Sequence, residues 1–317
     1  MLILFYSQIY NMIDPASAPP GFEYTFDRRR LAEAGLVVFH VPEIIHWSMR
    51  RLSWLGRYYL PAKRPGQLWA SYSMECAENY PLMRNLSFLR RMDIVMSYHL
   101  DADIPLLYAG GDDATADLER KLRQPPGPKQ LATPVASFVS SRVNQSGRRA
   151  YIRELMRHVP VDSWGGFMRN RTLAEDRGAV TKLETIARYK FTLAFENARD
   201  VDYVTEKFYD PLVAGSVPVY LGAPNIEDFA PGDHCFINAA DFPDPAGLAA
   251  YLRRLAHDEP AYEAFFAWKQ KPWRAGFRKI LDLGAVNTLW RMCEMAEEMA
   301  GARHAAPRRR PDTRSCA

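Results

Sequence analysis

Short apolar runs alternate with amphipathic stretches along the first half of the chain. LILFY at residues 2–6 has the length of a buried strand, and RRRLAEAG leads with helix-like spacing into the apolar run Leu36–Phe39. Two more strand candidates, Gln67–Glu75 and Met92–Leu100, end in polar residues. Strands that alternate with helices at this pace are typical of βαβ units. The first half therefore predicts a mostly parallel α/β sheet.

A change of composition separates the two halves of the chain. Residues Arg123–Pro134 (RQPPGPKQLATP) are rich in Pro and Gly, which predicts a linker between domains. The alternation of strands and helices then restarts with VASFVSS and continues through TLAFEN and VPVYLG. A chain of 317 residues has room for two ordinary domains. We predict α/β domains at residues 1–128 and 129–300, with a disordered basic tail at 301–317.

The distribution of charge argues against a nucleic-acid-binding face. The formal net charge is +4, and Gly301–Ala317 holds five Arg and one Asp, which leaves 4 − 4 = 0 for the rest. We interpret the tail as a solvated end, with contact to a membrane or an anionic partner as the alternative.

Targeting signals and metal motifs are not apparent in the sequence. The apolar start (residues 1–14) is shorter than the roughly 20 residues of a membrane span and has no basic n-region. The four cysteines are scattered without C-x-x-C spacing, a pattern that favours a reducing compartment.

Polar residues that directly follow predicted strands are candidates for a binding site, because ligands of open α/β sheets bind outside the carboxyl ends of the strands. This rule selects Glu75, Arg148, Glu196 with Asn197, and the group Tyr203–Lys207.

The group Tyr203–Lys207 lies where a helix is expected to begin. Thr205 is a plausible N-cap, so Glu206 and Lys207 fall in the first helical turn, where free N–H groups favour an anion. Lys207 is suited to a phosphate, Glu206 to ligand hydroxyls, and Tyr203 to stacking or a polar contact. The alternative is that Glu206 and Lys207 only cover an exposed helix end. Gly215 is expected to end the helix before the buried strand VPVYLG.

Other motifs are weaker. Asp101 and Asp103 have the spacing of an Asp-x-Asp metal and nucleotide clamp, but two carboxylates at this spacing are common. G-x-G-x-x-G after the first strand, the P-loop motif and G-x-S-x-G are missing, and the seven histidines do not cluster.

One long stretch resembles a known enzyme family. Residues 189–242, which include F-x-L-x-F-E-N, Y-x-T-E-K, A-G-x-V-P-V and G-x-x-N-x-x-x-F-x-P, are similar to the hallmark region of the α1,3/α1,4-fucosyltransferases of glycosyltransferase family 10. Two amino-terminal segments of the family resemble YTFDRRRLAEAGLVVFH and MSYHLDADIPLLY. The second of these contains Asp101 and Asp103, so the resemblance accounts for the two carboxylates as part of a family segment and not as a metal site. The resemblance covers roughly residues 20–270.

The chain also departs from the family pattern. Cys76 and Ala77 stand where Ser-Pro follows the family's glutamate, and Ala198 stands where a Ser usually follows F-E-N. Ser141-Arg142 replaces Ser-Asn, which leaves the choice between Arg148 and Arg149 open, with Arg148 favoured.

The resemblance implies a GT-B fold: two Rossmann-like domains with mostly parallel sheets that face each other across a cleft, the acceptor-binding domain first and the GDP-fucose-binding domain second. It implies inverting transfer of L-fucose from GDP-β-L-fucose. By position, Glu75 is the expected general base, and Glu196 is expected to face the fucose. The expected donor-binding residues are Arg148, Asn197, Tyr203, Glu206 and Lys207.

The expected acceptor is an oligosaccharide such as N-acetyllactosamine, fucosylated at O3 of GlcNAc to give a Lewis x-type product, with type I chains or a chitobiose core as the alternatives. No metal cofactor is expected, with Mn²⁺ or Mg²⁺ at most stimulatory. Similarity to the soluble bacterial members predicts a cytoplasmic enzyme, with a peripheral membrane contact through the tail as an addition and a truncated piece of a membrane-anchored protein as the alternative. The alternatives are a GT-B transferase with another nucleotide sugar and a non-catalytic sugar-binding relative.

Overall fold

The computed structural model describes residues 1–7, 13–44, 60–109, 114–129 and 132–305. Over these residues the chain forms two compact units, the first made of Met1–Ser73, Leu82–Ser97 and the part from Thr288, the second of Met74–Pro81 and Tyr98–Asn287. The described part of the predicted linker Arg123–Pro134 therefore lies inside the second unit. The end of the predicted tail, residues 306–317, lies outside the described residues.

Strands and helices alternate in both units, as the apolar pattern predicted. The strands are β1 (Leu2–Phe5), β2 (Glu23–Thr25), β3 (Leu36–His40), β4 (Leu68–Ser73), β5 (Ile94–Ser97), β6 (Ile104–Pro105), β7 (Val135–Ser137), β8 (Val161–Ser163), β9 (Phe191–Phe195), β10 (Val217–Leu221) and β11 (Ile237–Asn238). The helices are α1 (Leu86–Leu89), α2 (Ala114–Leu122), α3 (Arg148–Leu155), α4 (Ala179–Ile186), α5 (Glu206–Ala214), α6 (Pro245–Ala256), α7 (Glu259–Glu263), α8 (Ala275–Gly284) and α9 (Thr288–Ala305). Short 3-10 helices cover Pro15–Ser17, Arg28–Ala32, Pro81–Arg84, Ile226–Asp228, Ala239–Asp241 and Ala264–Gln270.

The first unit is built on parallel strands in the order β2-β1-β3-β4-β5. Every residue of β3 is buried, as expected for a parallel strand covered on both faces. Phe39 packs edge to face on Trp69 of the neighbouring strand, with ring centroids 4.9 Å apart. Tyr24 and Cys293 approach to 3.4 Å between Oη and Sγ, which joins α9 to this unit.

The second unit contains a parallel sheet in the order β11-β10-β9-β7-β8. Alternate residues of its central strands pack into two separate apolar cores. Leu193 and Val219 belong to one core, whereas Ala194 and Tyr220 belong to the other. Because successive side chains of a strand point to opposite faces, this division covers both faces of the sheet, the arrangement of a doubly wound domain.

Helix α5 has the two ends that the sequence predicted. The Thr205 side chain accepts a hydrogen bond from Lys207 N, and the backbone at Gly215 turns into the left-handed region with φ of 73°. Both predictions are confirmed. The first turn of α5 is thereby held at the end of the sheet where β9 and β10 finish.

None of the helices in the described parts of the chain combines the length and the apolar character that crossing a membrane requires.

Gly215 tests how strongly the close approach of α5 to the Pro-rich segment constrains the fold. A Cβ at Gly215 would lie 2.8 Å from Pro126 Cα, whereas a Cβ at Gly147, which has a similar φ of 75°, would meet no atom within 4 Å. Gly147→Ala therefore costs only the strain of a Cβ in the left-handed region, about 1–2 kcal/mol. Gly215→Ala should reduce the free energy of unfolding by about 1–3 kcal/mol more. Denaturant unfolding measures both, and equal losses would contradict the packing explanation.

Candidate active site

Glu196 directly follows strand β9 and has no exposed surface. Its Oε1 accepts hydrogen bonds from Thr205 N at 2.8 Å and from Thr205 Oγ1 at 2.9 Å. Its Oε2 lies 3.4 Å from Lys207 Nζ. Burial raises the pKa of Glu196, while Lys207 and the Thr205 donors act in the opposite direction. Glu196 therefore joins the end of β9 to the first turn of α5.

Lys207 lies in that first turn. Its Nζ donates to Thr205 Oγ1 at 2.9 Å and to Glu206 Oε1 at 3.1 Å. Burial alone would lower the pKa of Lys207, but the Glu196 and Glu206 carboxylates outweigh it and raise the pKa. The ammonium group is thus charged at neutral pH, next to the positive end of a helix.

Arg148 begins helix α3 and is 1% exposed. Its Nη1 donates to Phe195 O at 2.8 Å, and its Nη2 donates to Val143 O at 3.3 Å. Its Nε makes no hydrogen bond with the part of the chain that the structure describes. Burial lowers the pKa of Arg148, and Glu196 opposes this change. A guanidinium whose hydrogen-bond partners are two neutral carbonyls keeps its positive charge and favours an anion nearby.

The structure distinguishes Arg148 from Arg149. The Arg149 guanidinium lies 4.4 Å from the centroid of the Phe167 ring. Arg149 does not line the cavity that contains Lys207 and Glu206. Arg148, in contrast, lines the same cavity as Lys207 and Glu206. The geometry favours Arg148 as the arginine of the candidate site.

A cavity of about 250 Å³ brings these groups together. Lys182 of helix α4 adds a third cation, and its Nζ lies 2.7 Å from Asp210 Oδ2. The cations surround the N-terminal turn of α5, where backbone N–H groups also favour negative charge. The polar residues that line the cavity are Ser140, Ser141, Arg148, Lys182, Thr192, Glu206 and Lys207.

Glu75 belongs to the second unit, although it precedes most of that unit by more than twenty residues in the chain. It is half-buried, and burial raises its pKa, with Lys207 lowering it and Glu206 raising it further. These electrostatic effects require the Glu75 carboxylate to lie near the α5 turn. The functional boundary at residue 128 stays a prediction.

Tyr203 and Asn197 follow β9 but are engaged by other side chains. Tyr203 is 2% exposed, and its ring packs edge to face on Tyr98, with centroids 5.0 Å apart, and on Tyr108 at 6.4 Å. Asn197 Oδ1 accepts from Asn79 Nδ2 at 3.2 Å. Stacking of Tyr203 on a nucleotide and contact of the buried Glu196 with fucose stay predictions. The contacts of Tyr203 and Asn197 in this structure shape the loop that follows β9.

Sequence reasoning missed two parts of the site. Lys182 carries no motif, and only the packing of α4 beside α5 brings it to the cavity. Asp202 has a φ of 66°, and it is held there by paired hydrogen bonds of 2.9 Å with the Asn225 side chain. The motif G-x-x-N, which contains Asn225, could have drawn attention to this residue. The sequence does not indicate that its partner is Asp202, 23 positions earlier.

Groups of three or more His, Cys, Asp or Glu side chains that could hold a metal do not occur in the described ranges. The interpretation of Asp101 and Asp103 as residues without a metal stays a prediction.

Two family models match the chain. Residues 128–309 match the glycosyltransferase family 10 (fucosyltransferase) C-terminal model, and residues 3–109 match the fucosyltransferase N-terminal model. The predicted family resemblance is thereby confirmed, and the two matched regions together span most of the chain.

Individual relatives agree with these matches. A fucosyltransferase-like protein of Arabidopsis thaliana is 38% identical over 73% of this chain and 43% of its own length. Alpha-(1,3)-fucosyltransferase B of Drosophila melanogaster is 33% identical over 66% of this chain and 50% of its own. Human GDP-fucose protein O-fucosyltransferase 3 is 45% identical over 45% of this chain and 31% of its own. The chain thus spans half or less of the length of these relatives.

The fold is similar to that of solved structures. A crystal structure of an alpha1,3-fucosyltransferase with GDP superposes with a TM-score of 0.55 at 18% identity, over 89% of this chain and 88% of the other. A structure with GDP-fucose gives a TM-score of 0.51 at 20% identity, over 78% and 76%. This likeness confirms the predicted α/β fold of the GT-B class.

The buried carboxylate of Glu196 should matter more for stability than the exposed one beside it. Glu196→Gln removes a charge that has no contact with water, so Lys207 loses its buried counter-ion; we expect a loss of about 1–3 kcal/mol in the free energy of unfolding. Glu206→Gln removes a carboxylate whose side chain is 46% exposed and should cost less than about 1 kcal/mol. Denaturant unfolding without nucleotide measures both, and a larger loss for Glu206→Gln would refute this ranking.

Proposed function

The chain belongs to glycosyltransferase family 10, and we propose that it is a fucosyltransferase that takes L-fucose from GDP-β-L-fucose. The observation that carries this proposal is the pair of cations, Arg148 and Lys207, that line one cavity at the N-terminus of α5. A diphosphate needs such charges both for binding and as a leaving group.

The contacts of the candidate site support a role for each residue in binding the donor. Arg148 and Lys207 are proposed to neutralise the charge of the diphosphate, while Glu206 accepts hydrogen bonds from ribose hydroxyls. Asn197 and Tyr203 are proposed to contact the nucleotide, although in this structure Asn197 pairs with Asn79 and Tyr203 is 2% exposed. Glu196 is proposed to face the fucose and to stabilise its oxocarbenium-like character; its Oε2 lies 3.4 Å from Lys207 Nζ, next to the donor site.

Glu75 is proposed as the general base of an inverting displacement. A base takes the proton from the acceptor hydroxyl as it attacks the anomeric carbon, and the GDP oxygen leaves with its charge neutralised by Arg148 and Lys207. The raised pKa of Glu75, which burial causes, supports this role because a more basic carboxylate accepts a proton more readily.

We propose two candidate acceptor classes. The first is an oligosaccharide such as N-acetyllactosamine, fucosylated at O3 of GlcNAc, and the name of alpha-(1,3)-fucosyltransferase B agrees with the α1,3 linkage of that product. GDP-fucose protein O-fucosyltransferase 3 supports a hydroxyl of a protein as the second candidate. An acceptor panel that contains both classes distinguishes them by which one gains a deoxyhexose in mass spectrometry.

We propose that no metal is required, since Arg148, Lys207 and a helix terminus can neutralise the leaving group. Titration calorimetry in EDTA with GDP, and separately with UDP, tests this donor site. We expect GDP to bind and UDP not to bind. Lys207→Ala should weaken GDP binding about 10- to 100-fold, whereas Lys121→Ala, which removes an exposed charge from α2, should leave it unchanged. UDP preference, or GDP binding only after Mn²⁺ is restored, would refute the proposed donor site.

Glu75→Gln tests the base. We expect kcat to fall about 10²- to 10⁴-fold, with unchanged affinity for GDP. In the wild type the base must be ionised, so kcat/KM should fall as pH drops through the raised pKa, at a pH above the ordinary carboxyl value of 4.5. A variant with near wild-type kcat would rule out Glu75 as the base, and a non-catalytic relative would show no turnover in either form.

We further propose a cytoplasmic location with a peripheral membrane contact through the Arg-rich tail. Deletion of Gly301–Ala317 should reduce sedimentation with anionic vesicles, because five Arg are removed with only one Asp. Equal sedimentation of the two proteins would eliminate the membrane contact.

A further inference from the structure

A short segment holds Glu75 against the loop that follows β9. We name residues 74–81 the base segment and residues 196–205 the donor loop. Both belong to the second unit, although about 120 residues separate them in the chain. Cys76 and Ala77, the residues after Glu75, are 0% and 1% exposed, so this part of the base segment is packed into the unit.

The Tyr98 hydroxyl connects the base segment with the donor loop. It accepts a hydrogen bond from Ala77 N at 3.0 Å and donates one to Asp200 Oδ2 at 2.5 Å. Tyr98 is 1% exposed, and burial together with Asp200 raises its pKa, so the hydroxyl stays a neutral donor. One phenol group therefore joins the backbone two residues after Glu75 to a side chain of the donor loop.

Further contacts hold the base segment on both sides of Glu75. Tyr108 Oη donates to Met74 O at 2.7 Å, and Asn79 Nδ2 donates to Asn197 Oδ1 at 3.2 Å. Leu100 N also donates to Asp202 Oδ2 at 3.0 Å, which fixes the chain beside Tyr98 on the same loop. Glu75 thus lies between residues whose backbone positions are set by the donor loop and its neighbours.

A structural role alone does not account for the partner that Tyr98 has. A buried tyrosine hydroxyl needs a hydrogen bond, and a backbone carbonyl would supply one. Asp200 instead lies in the loop that starts with Glu196 and ends with Thr205, so the bond couples the base to the residues that orient Lys207. Displacement of a reacting group by about 1 Å can cost about 10²-fold in rate.

We propose that Tyr98 and Asp200 are positioning residues that hold the base segment, and with it the Glu75 carboxylate, in register with the donor site. This inference rests on the proposed function of Glu75. Asp200 holds Tyr98, Tyr98 holds the Ala77 backbone, and this sets the reach of Glu75 toward an acceptor hydroxyl. Neither residue contacts the substrate in this account.

The test compares Asp200→Ala, Asp200→Asn and Tyr98→Phe in the full chain, with GDP-fucose and the acceptor that the wild-type protein fucosylates in the panel described above. Asp200→Ala and Tyr98→Phe should lower kcat about 10²-fold and leave KM for GDP-fucose and the affinity for GDP unchanged. Asp200→Asn keeps an oxygen that can accept from Tyr98, so it should retain most of the wild-type kcat. The amide of Ala77 should exchange with deuterium about tenfold faster in Tyr98→Phe.

Tyr189→Phe is the matched control, because Tyr189 Oη donates to Asp162 Oδ2 at 2.8 Å in the same unit. It should leave the exchange of Ala77 unchanged. The inference is overturned if Asp200→Ala keeps the wild-type kcat, if Asp200→Asn fails as badly as Asp200→Ala, or if kcat and GDP affinity fall together with the Tm. A separate measurement tests the proposed function itself: if the wild-type protein binds no GDP, the proposed function is wrong.

Discussion

The rest of the candidate site depends on the interaction of the Glu196 carboxylate with Thr205 and Lys207. The carboxylate is fully buried, it receives the Thr205 N–H and hydroxyl, and it faces the Lys207 ammonium at 3.4 Å. Burying this charge is unfavourable unless each of these partners is present. The requirement fixes the start of α5 relative to the end of β9, and so it fixes where Lys207 and the helix terminus present positive charge.

The fold could be predicted from the sequence because its signals are local. Apolar runs of four to six residues marked strands such as β3 and β10, and a parallel sheet with covered faces needs such runs. The cap at Thr205 and the left-handed turn at Gly215 were equally readable, since each depends on the chemistry of one residue. The GT-B class itself came from the family resemblance and not from these patterns.

The site was only partly predictable, because its geometry depends on contacts between distant parts of the chain. The sequence selected Arg148, Glu206 and Lys207, which do line one cavity. It did not indicate that Tyr203 and Glu196 would be almost or fully buried, nor that residues 74–81 would pack with the second unit. Tertiary packing decides which side chains are buried. A polar residue that follows a strand can therefore be buried and orient a second residue, as Glu196 orients Lys207, as well as contact the ligand itself.

The measurement that tests the central proposal most directly is the anomeric configuration of the sugar that the wild-type enzyme transfers from GDP-β-L-fucose, determined by NMR on the purified product. A single displacement with a base on one face and a stabilised GDP leaving group on the other inverts the anomeric carbon. The account therefore predicts an α-linked fucoside. A β-linked product, or release of GDP without any glycoside, would contradict it.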